Sequence, residues 1–570
     1  MRSILSTWRG AWPFAAALFL SALALLGVAR VPAASPAHAS TRAATRPHIA
    51  YGGTVVIDNE SGGLWTNSFT PFSTNTNYTV DGVIYEPLMF FNSLNGNNQP
   101  WLATSYQWSN GNKTLTFTLR HGVRWSDGVP FSAADVVFTF NMMKKNPGLD
   151  LNGVWGVLSS VQSPGGDRVV MTFKAPSVPY LYYIGVDPIV SQHEWAAVKN
   201  PVTFADSKPI GTGPFMVGQS STQSITYVRN PHYWQAGLPY VDKVVYPAFL
   251  SNPPANLYLA EGQADWGGQY IPNVQAYYVA RDPAHNHYWY APQTNDVGIF
   301  PNLTEYPLSL TAVRQAISYG IDRAKISNLG VFGYLPPANQ SGVIVPNFQG
   351  WLDTGLAQKY NYGYNPQKAI ALLKGAGFKQ NAAGIFQTAA GKPLSFSVIT
   401  VGGNTDWVAE VKILADELRQ IGIDVQPQNL SNNDFNARLF AGHYDLAYGN
   451  FSGGPSAFYP YHGLLSSGAS APIGQDATSN YERYHSAEAD ALLAQFAVTT
   501  DSAQQHAIVD KLQNIMLRDV PVVPVLEGVN WFQWSSAKFT GWPSQANPYA
   551  DPAPYAYPDW EVVLLHLHKI

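Results

Sequence analysis

The 570-residue sequence contains no cysteine. Thiol nucleophiles, disulfide frameworks and cysteine-based zinc sites are therefore excluded. Charge is scarce as well, since Asp, Glu, Lys and Arg together make up 12% of the chain, about half their usual share. The basic residues are scattered and the formal net charge is -4, which gives no basic footprint for a nucleic acid. The usual catalytic signatures are missing too: there is no GxSxG elbow, P-loop, HExxH, or GxGxxG after a strand. His285 with His287 and His566 with His568 are the only close histidine pairs, and neither has an acidic or third histidine partner at ligand spacing. They read as surface histidines. Asp416 and Glu417 read as the solvated face of a helix, and neither a catalytic residue, a metal nor a cofactor is assigned.

What is present begins with the N-terminus. Arg2 and Arg9 precede an apolar run from Ala11 to Val28, and Ala37-His38-Ala39 offers small residues at the two positions a signal peptidase reads. Residues 1–39 are expected to be a secretory signal or, uncleaved, an N-terminal anchor. Residues 40–49 read as a tether. No later segment is apolar enough to span a bilayer, so the remainder is expected outside the cytoplasmic membrane, in the periplasm or at the cell surface. Cleavage after Ala39 would remove Arg2, Arg9 and Arg30 and leave a net charge of -7. Scarcity of charge suits an acidic exterior, where fewer carboxylates must stay ionised.

The length implies two or three domains. From Thr114 to Leu119, Leu115, Phe117 and Leu119 alternate with Thr114, Thr116 and Thr118, the period of a half-buried strand. Val169 to Phe173 is a second such strand. Between them lies HGVRWSDGVPFSAADVVFTF, residues 121–140. Ser126-Asp127-Gly128 makes a turn there, Ser132 and Asp135 form a capping box, and Trp125 and Phe131 pin the turn to the core. Further on, Thr311 caps a helix carrying Val313, Ala316 and Ile317, and Asn365-Pro366 starts another with Ala369, Ile370, Leu372 and Leu373 inward. In a third, Trp407, Val411, Leu414, Leu418 and Ile421 share one stripe. Strand patterns at 394–400, 423–425 and 444–448 flank these helices, an alternation that indicates α/β lobes. The Tyr- and Pro-rich tail, 548–557, is too aromatic for a disordered linker.

Aromatic residues reach 13%, with 17 Trp and 32 Tyr. A cleft lined by rings and amides suits a neutral, polar ligand such as a peptide backbone or a sugar ring.

A series of motifs then carries a family resemblance. WLATSYQWSNGNKTLTFTLRHGVRWSDGVPFSAADVVFTF (101–140), PIGTGPFMV (209–217), VRNPHYW (228–234), LAEGQADW (259–266), VRQAISYGIDRAKI (313–326), YNPQKAIALLKGAGF (364–378), GHYDLAYG (442–449) and NYERYHSAEADALL (480–493), followed by PVVPV (521–525), stand in one order along the chain. In that order they resemble the extracytoplasmic solute-binding proteins of ABC importers, of the oligopeptide, dipeptide and nickel type known as family 5.

The resemblance implies an α/β, two-lobed periplasmic-binding-protein-like fold closing like a hinge on its ligand. Lobe one is expected over 50–300, with a smaller subdomain at about 89–205, and is completed by 526–570; lobe two is expected over 301–525, with crossings near Phe300 and Val525. It implies binding without catalysis, delivery to a membrane permease driven by a cytoplasmic ATPase, and a monomer.

The implied ligand is an oligopeptide-like solute, with a neutral oligosaccharide or other uncharged solute as the alternative. Peptide binders of the family usually place an acid just after the segment matching GHYDLAYG, yet NFSGGPSAFYPYHG (450–463) contains no Asp or Glu. The cleft positions implied are Phe72, Asn75 and Asn77 in the loop 69–77, with Trp266, Asn450 and Phe451. Phe458, Tyr459 and Tyr461 are either stacking platforms for a sugar or anchors of their loop. From other classes, a secreted glycosidase would need two carboxylates about 5 to 10 Å apart across a cleft, and a purely structural surface protein would have no closable cleft.

Overall fold

The computed structural model describes residues 49–58, 63–72, 77–451 and 453–570. The expected signal or anchor (1–39), nearly all of the tether and Asn75 lie outside the described residues.

The segment 101–140 folds as its pattern predicts. Leu115, Phe117 and Leu119 are buried on one face of the strand Thr114–Leu119 while the threonines are half-exposed. This strand lies between Ala103–Ser109 and Arg168–Phe173 in a four-stranded antiparallel sheet completed by Leu158–Gly165. Ser132 caps the helix Ala133–Lys145: its side chain accepts from the Ala134 amide, and Asp135 accepts from the Ser132 amide at 2.8 Å. Trp125 is fully buried with Phe131 edge-on at 5.9 Å, so the turn is pinned as expected.

A seven-stranded sheet forms the body of the first lobe. Its central strand, Thr54–Asp58, runs parallel to both neighbours, Lys243–Pro247 and Trp266–Gly267. The motif at 209–217 reaches this body through a close backbone approach. A Cβ on Gly211 would lie 1.8 Å from the Ile84 carbonyl oxygen, so no larger residue fits. The C-terminal segment returns to this lobe, where Gln533–Ser535 pairs with Trp266–Gly267 and with Asn286–Tyr288. The tail is ordered: the Tyr557 hydroxyl donates to the Val186 carbonyl at 2.7 Å, and Trp266 donates to the Pro552 carbonyl at 2.9 Å.

The second lobe is built on a five-stranded sheet in the order Asp424–Leu430, Ser395–Val401, Leu446–Asn450, Ala291–Pro301, Val523–Asn530. The first three strands are parallel, Ala291–Pro301 runs antiparallel to them, and Val523–Asn530 runs antiparallel to Ala291–Pro301. The helix Thr405–Gln420 connects the two outer parallel strands and buries Val411, Leu414 and Leu418 against them. The chain leaves the first sheet after Tyr288 and enters the second at Ala291, then returns between Asn530 and Gln533. Phe300 and Val525 belong to these same two strands and lie inside the second sheet, where Phe300 is paired with Ala447. The change of sheet comes at the opposite end of each strand. Nothing in an unbroken strand pattern marks where it passes from one sheet to another.

Three local expectations are corrected. Glu417 is not on a solvated face: it is 1% exposed, accepts from the Asp322 amide at 2.8 Å and pairs with Lys325 at 3.2 Å, while Asp416 stays exposed. Thr311 is the first helical residue and does not cap; its hydroxyl accepts from Arg314. His285 does have an acidic partner, Asp282 at 2.9 Å, although no group of three potential metal ligands forms among the described residues.

Candidate functional site

The parallel strands of the second sheet end along one edge, at Val401, Leu430 and Asn450. In open α/β sheets the loops at this edge leave a crevice in which ligands bind. A cavity of about 270 Å³ lies there. The second lobe supplies Leu335, Val401, Asn404, Asp406, Trp407, Asn432 and Asn450, and the first lobe supplies Asn252, Gly268, Gln269, Tyr270, Trp531 and Tyr555. Gln293, Val297, Gly528 and Val529, from the strands joining the lobes, complete the wall. The lobes also touch beside it: the Asn252 amide donates to the Gly403 carbonyl at 3.2 Å, and the Tyr270 hydroxyl to the Gly330 carbonyl at 3.1 Å.

The chemistry of this wall is uneven in a telling way. Six side chains are amides, four are Tyr or Trp rings, one is a carboxyl, and none of the described lining residues is Lys, Arg or His. Asn404 precedes the helix Thr405–Gln420 without capping it through its side chain, which leaves its amide for the cavity. The carboxyl belongs to Asp406 in the first turn of that helix. It is 4% exposed, and burial pushes its pKa up to about 6. One turn on, Glu410 is fully buried and accepts from the Tyr448 hydroxyl at 2.7 Å. Burial, with Asp406 beside it, pushes Glu410 up to about 8. Near neutral pH the pair therefore carries one proton, held mainly by Glu410.

A second buried acid pair lies behind the cavity. Asp296 and Glu527 face each other across the two crossing strands, next in sequence to the lining residues Val297 and Gly528. Glu527 accepts from the Val345 amide at 2.8 Å and is raised to about 7 by burial; Asp296 is raised by burial and then by Glu527.

Of the residues singled out from the sequence, Asn450 lines the cavity. Its neighbour Phe451 points to the other side of the strand and packs edge-on against Phe300 at 4.8 Å. Phe458, Tyr459 and Tyr461 lie on the buried helix Phe458–Leu465. Phe458 stacks on Phe496, the Tyr459 hydroxyl donates to the Pro179 carbonyl at 2.7 Å across the lobes, and the Tyr461 hydroxyl donates to the Ser341 carbonyl. Of the two readings offered for these rings, their contacts are those of anchors. Phe72 packs edge-on against Trp195, and Asn77 pins its loop through Thr66. Trp266 is fully buried in the first lobe. Sequence reasoning passed over Asn404, Asp406 and Trp407, although GGNTDW directly follows a strand that had been read correctly. The rule that ligands gather where parallel strands end would have found them.

Two lobes joined by paired crossing strands, with a polar, ring-lined cavity between them, define a ligand-binding protein of the hinged two-lobed class. Comparison with known proteins agrees and narrows it. Residues 97–472 match the model of the bacterial extracellular solute-binding proteins, family 5 (middle region), and the chain belongs to that family. It is 26% identical to the nickel-binding periplasmic protein of Escherichia coli K12 over 68% of this chain and 73% of that one. It is 27% identical to a putative ABC transporter peptide-binding protein of Brucella ovis over 77% and 80%. Among solved structures, the mannohexaose-bound periplasmic oligopeptide-binding protein of Thermotoga maritima superimposes with a TM-score of 0.84 at 28% identity, covering 90% of this chain and 98% of that chain.

Proposed function

We propose that this solute-binding protein serves an ABC importer and that its ligand is an uncharged, hydrogen-bonding oligomer, an oligosaccharide in preference to a free peptide. The observation that carries the ligand reading is the cavity wall: six amides, four rings and a single carboxyl, with no cationic side chain among the described lining residues. Amides exchange hydrogen bonds with hydroxyls, and Trp and Tyr rings offer apolar faces to sugar rings. The carboxylate of a free peptide would find no cation in the wall and would be costly to bury there. The likeness to a structure holding mannohexaose supports the same reading.

The importer role rests on the family and on relatives named for ABC transport. In this reading the protein works outside the cytoplasmic membrane, the apolar segment 11–28 is its export signal or anchor, and the two lobes close as a monomer over the solute. The solute is then handed to a permease driven by a cytoplasmic ATPase. In this reading the protein binds and releases its solute without chemistry, in keeping with relatives named as binding proteins.

An oligopeptide is the second reading, favoured by Asp406, which supplies an acid to meet a peptide's α-ammonium. A thermal-shift screen at pH 7 with mannohexaose, cellohexaose and di- to hexapeptides separates the two. Ligand at a hundred times its Kd adds about 2.7 kcal/mol of stability to the state that binds it. Stabilisation by the sugars alone is the expected result, and stabilisation by the peptides alone would overturn the oligosaccharide reading.

A further inference from the structure

We infer that Asp406 is the specificity-determining residue of the cavity and that it takes up a proton when a neutral ligand enters. The inference rests on the neutral-ligand reading above and deepens it.

The geometry comes first. Asp406 is the one carboxyl in the described wall, and apart from the cavity it is enclosed by protein. Water filling the cavity solvates its carboxylate. A neutral ligand displaces that water without bringing a counter-charge, so filling the cavity raises the cost of the ionised form. The protein offers no substitute cation among the described residues; the backbone amides of Trp407 and Asp406 favour the carboxylate, but burial outweighs them. On its own helix Asp406 faces Glu410, a second acid whose Oε1 has no hydrogen-bond partner among the described residues. From the other elements it faces the hydroxyls of Tyr270, Tyr448 and Tyr555, all of them raised by burial. Arg323 lies beyond Tyr448 and spends its guanidinium on the Pro524 and Ser318 carbonyls, the Ser318 hydroxyl and, at 3.4 Å, the Tyr362 carbonyl. On the same neighbouring helix Lys325 is taken by Glu417, and Asp322 caps the first turn. Protonation is the remaining way to remove the charge.

Linkage then fixes the sign. The ligand-free carboxyl is half-ionised at about pH 6, and the ligand-bound carboxyl at a higher pH, so binding takes up a proton between the two and affinity rises as pH falls. An ammonium-bearing ligand would do the reverse, because it needs the carboxylate. The sign of the pH dependence therefore reports the charge the site selects.

The test is calorimetric titration of the protein with mannohexaose and cellohexaose from pH 4.5 to 7.5, in paired buffers of different ionisation heat. The expected result is a gain in affinity of up to about thirtyfold from pH 7.5 to 4.5, with about one proton taken up per ligand at pH 7. D406N should bind with pH-independent affinity and no proton uptake. E410Q leaves Asp406 in place and replaces a neighbour that is already protonated where Asp406 titrates, so it should keep the pH dependence and the proton uptake with the midpoint near that of the wild type; this variant also serves if D406N fails to fold. Binding without proton uptake, or equal pH profiles in wild type and D406N, would overturn the inference while leaving the neutral-ligand reading intact. Affinity for the sugars that falls in acid would mean that binding releases a proton and would likewise overturn the inference. Failure of both sugars to bind at any pH would remove the ligand reading and the inference with it.

Discussion

Glu482 offers a direct measure of what buried acids do to this fold. Its side chain is fully buried, and neither carboxyl oxygen has a hydrogen-bond partner among the described residues. Burial pushes its pKa from 4.5 up to about 8, with its own backbone N–H and then Arg483 acting in the other direction. The folded protein therefore holds a proton on Glu482 over a range in which the unfolded chain has lost it. Because the folded state binds more protons, stability is highest below the unfolded value and falls as pH rises toward the folded one. With one pKa unit worth about 1.4 kcal/mol, the fall attributable to Glu482 between pH 5 and pH 7 is about 2.5 kcal/mol. For a chain of this size that corresponds to roughly 2 to 3 °C in Tm. Differential scanning calorimetry of wild type and Glu482→Gln at pH 5, 6 and 7 isolates the effect, since every other acid titrates in both proteins. The Tm of the wild type should fall more steeply with pH, so that the difference between the two proteins changes by that amount across the range. Parallel Tm curves would refute the argument and mean that the carboxyl is solvated or paired.

Two further outcomes follow from the same structure. Gly211→Ala should destabilise the protein by more than about 3 kcal/mol, because the new methyl would lie 1.8 Å from the Ile84 carbonyl oxygen and the backbone must move; a Tm close to wild type would show that the approach can relax. Trp407→Ala should weaken the sugar ligand by at least about tenfold while Tyr461→Phe, which loses only the hydrogen bond to Ser341, should leave Kd unchanged; equal effects on Kd would mean that the cavity is not where the ligand sits.

The acid groups give the sparse charge of the sequence a physical sense. Glu482, Glu410 and Glu86 are fully buried and Asp81 is half-buried, their carboxyls are raised to about 7 or 8, and each favours the folded state more as pH falls. An acidic exterior, inferred from composition, is the condition in which these groups cost least.

Legibility differed with the range of the interaction. The capping box at Ser132 and Asp135, the alternating strand Thr114–Leu119 and the buried stripe of Thr405–Gln420 depend on neighbours within a few residues, and they were readable as written. The burial of Glu417 was not, because Lys325 and the Asp322 amide arrive from a helix nearly a hundred residues away.

The candidate site shows the same division. Asn450 could be placed because it closes a recognisable strand, whereas Phe458, Tyr459 and Tyr461 looked equally fit for a ligand or for packing, since a ring carries the same letter in either role. By itself the sequence determined the family, the α/β character, the order of the strands and helices, and the poverty of charge, all of which are local or compositional. Only the tertiary structure decided which strand ends meet between the lobes, which aromatic rings are spent on packing and which single carboxyl faces the cavity. Those choices depend on residues from about 250 to 555 converging in space, and no local pattern records a convergence of that length.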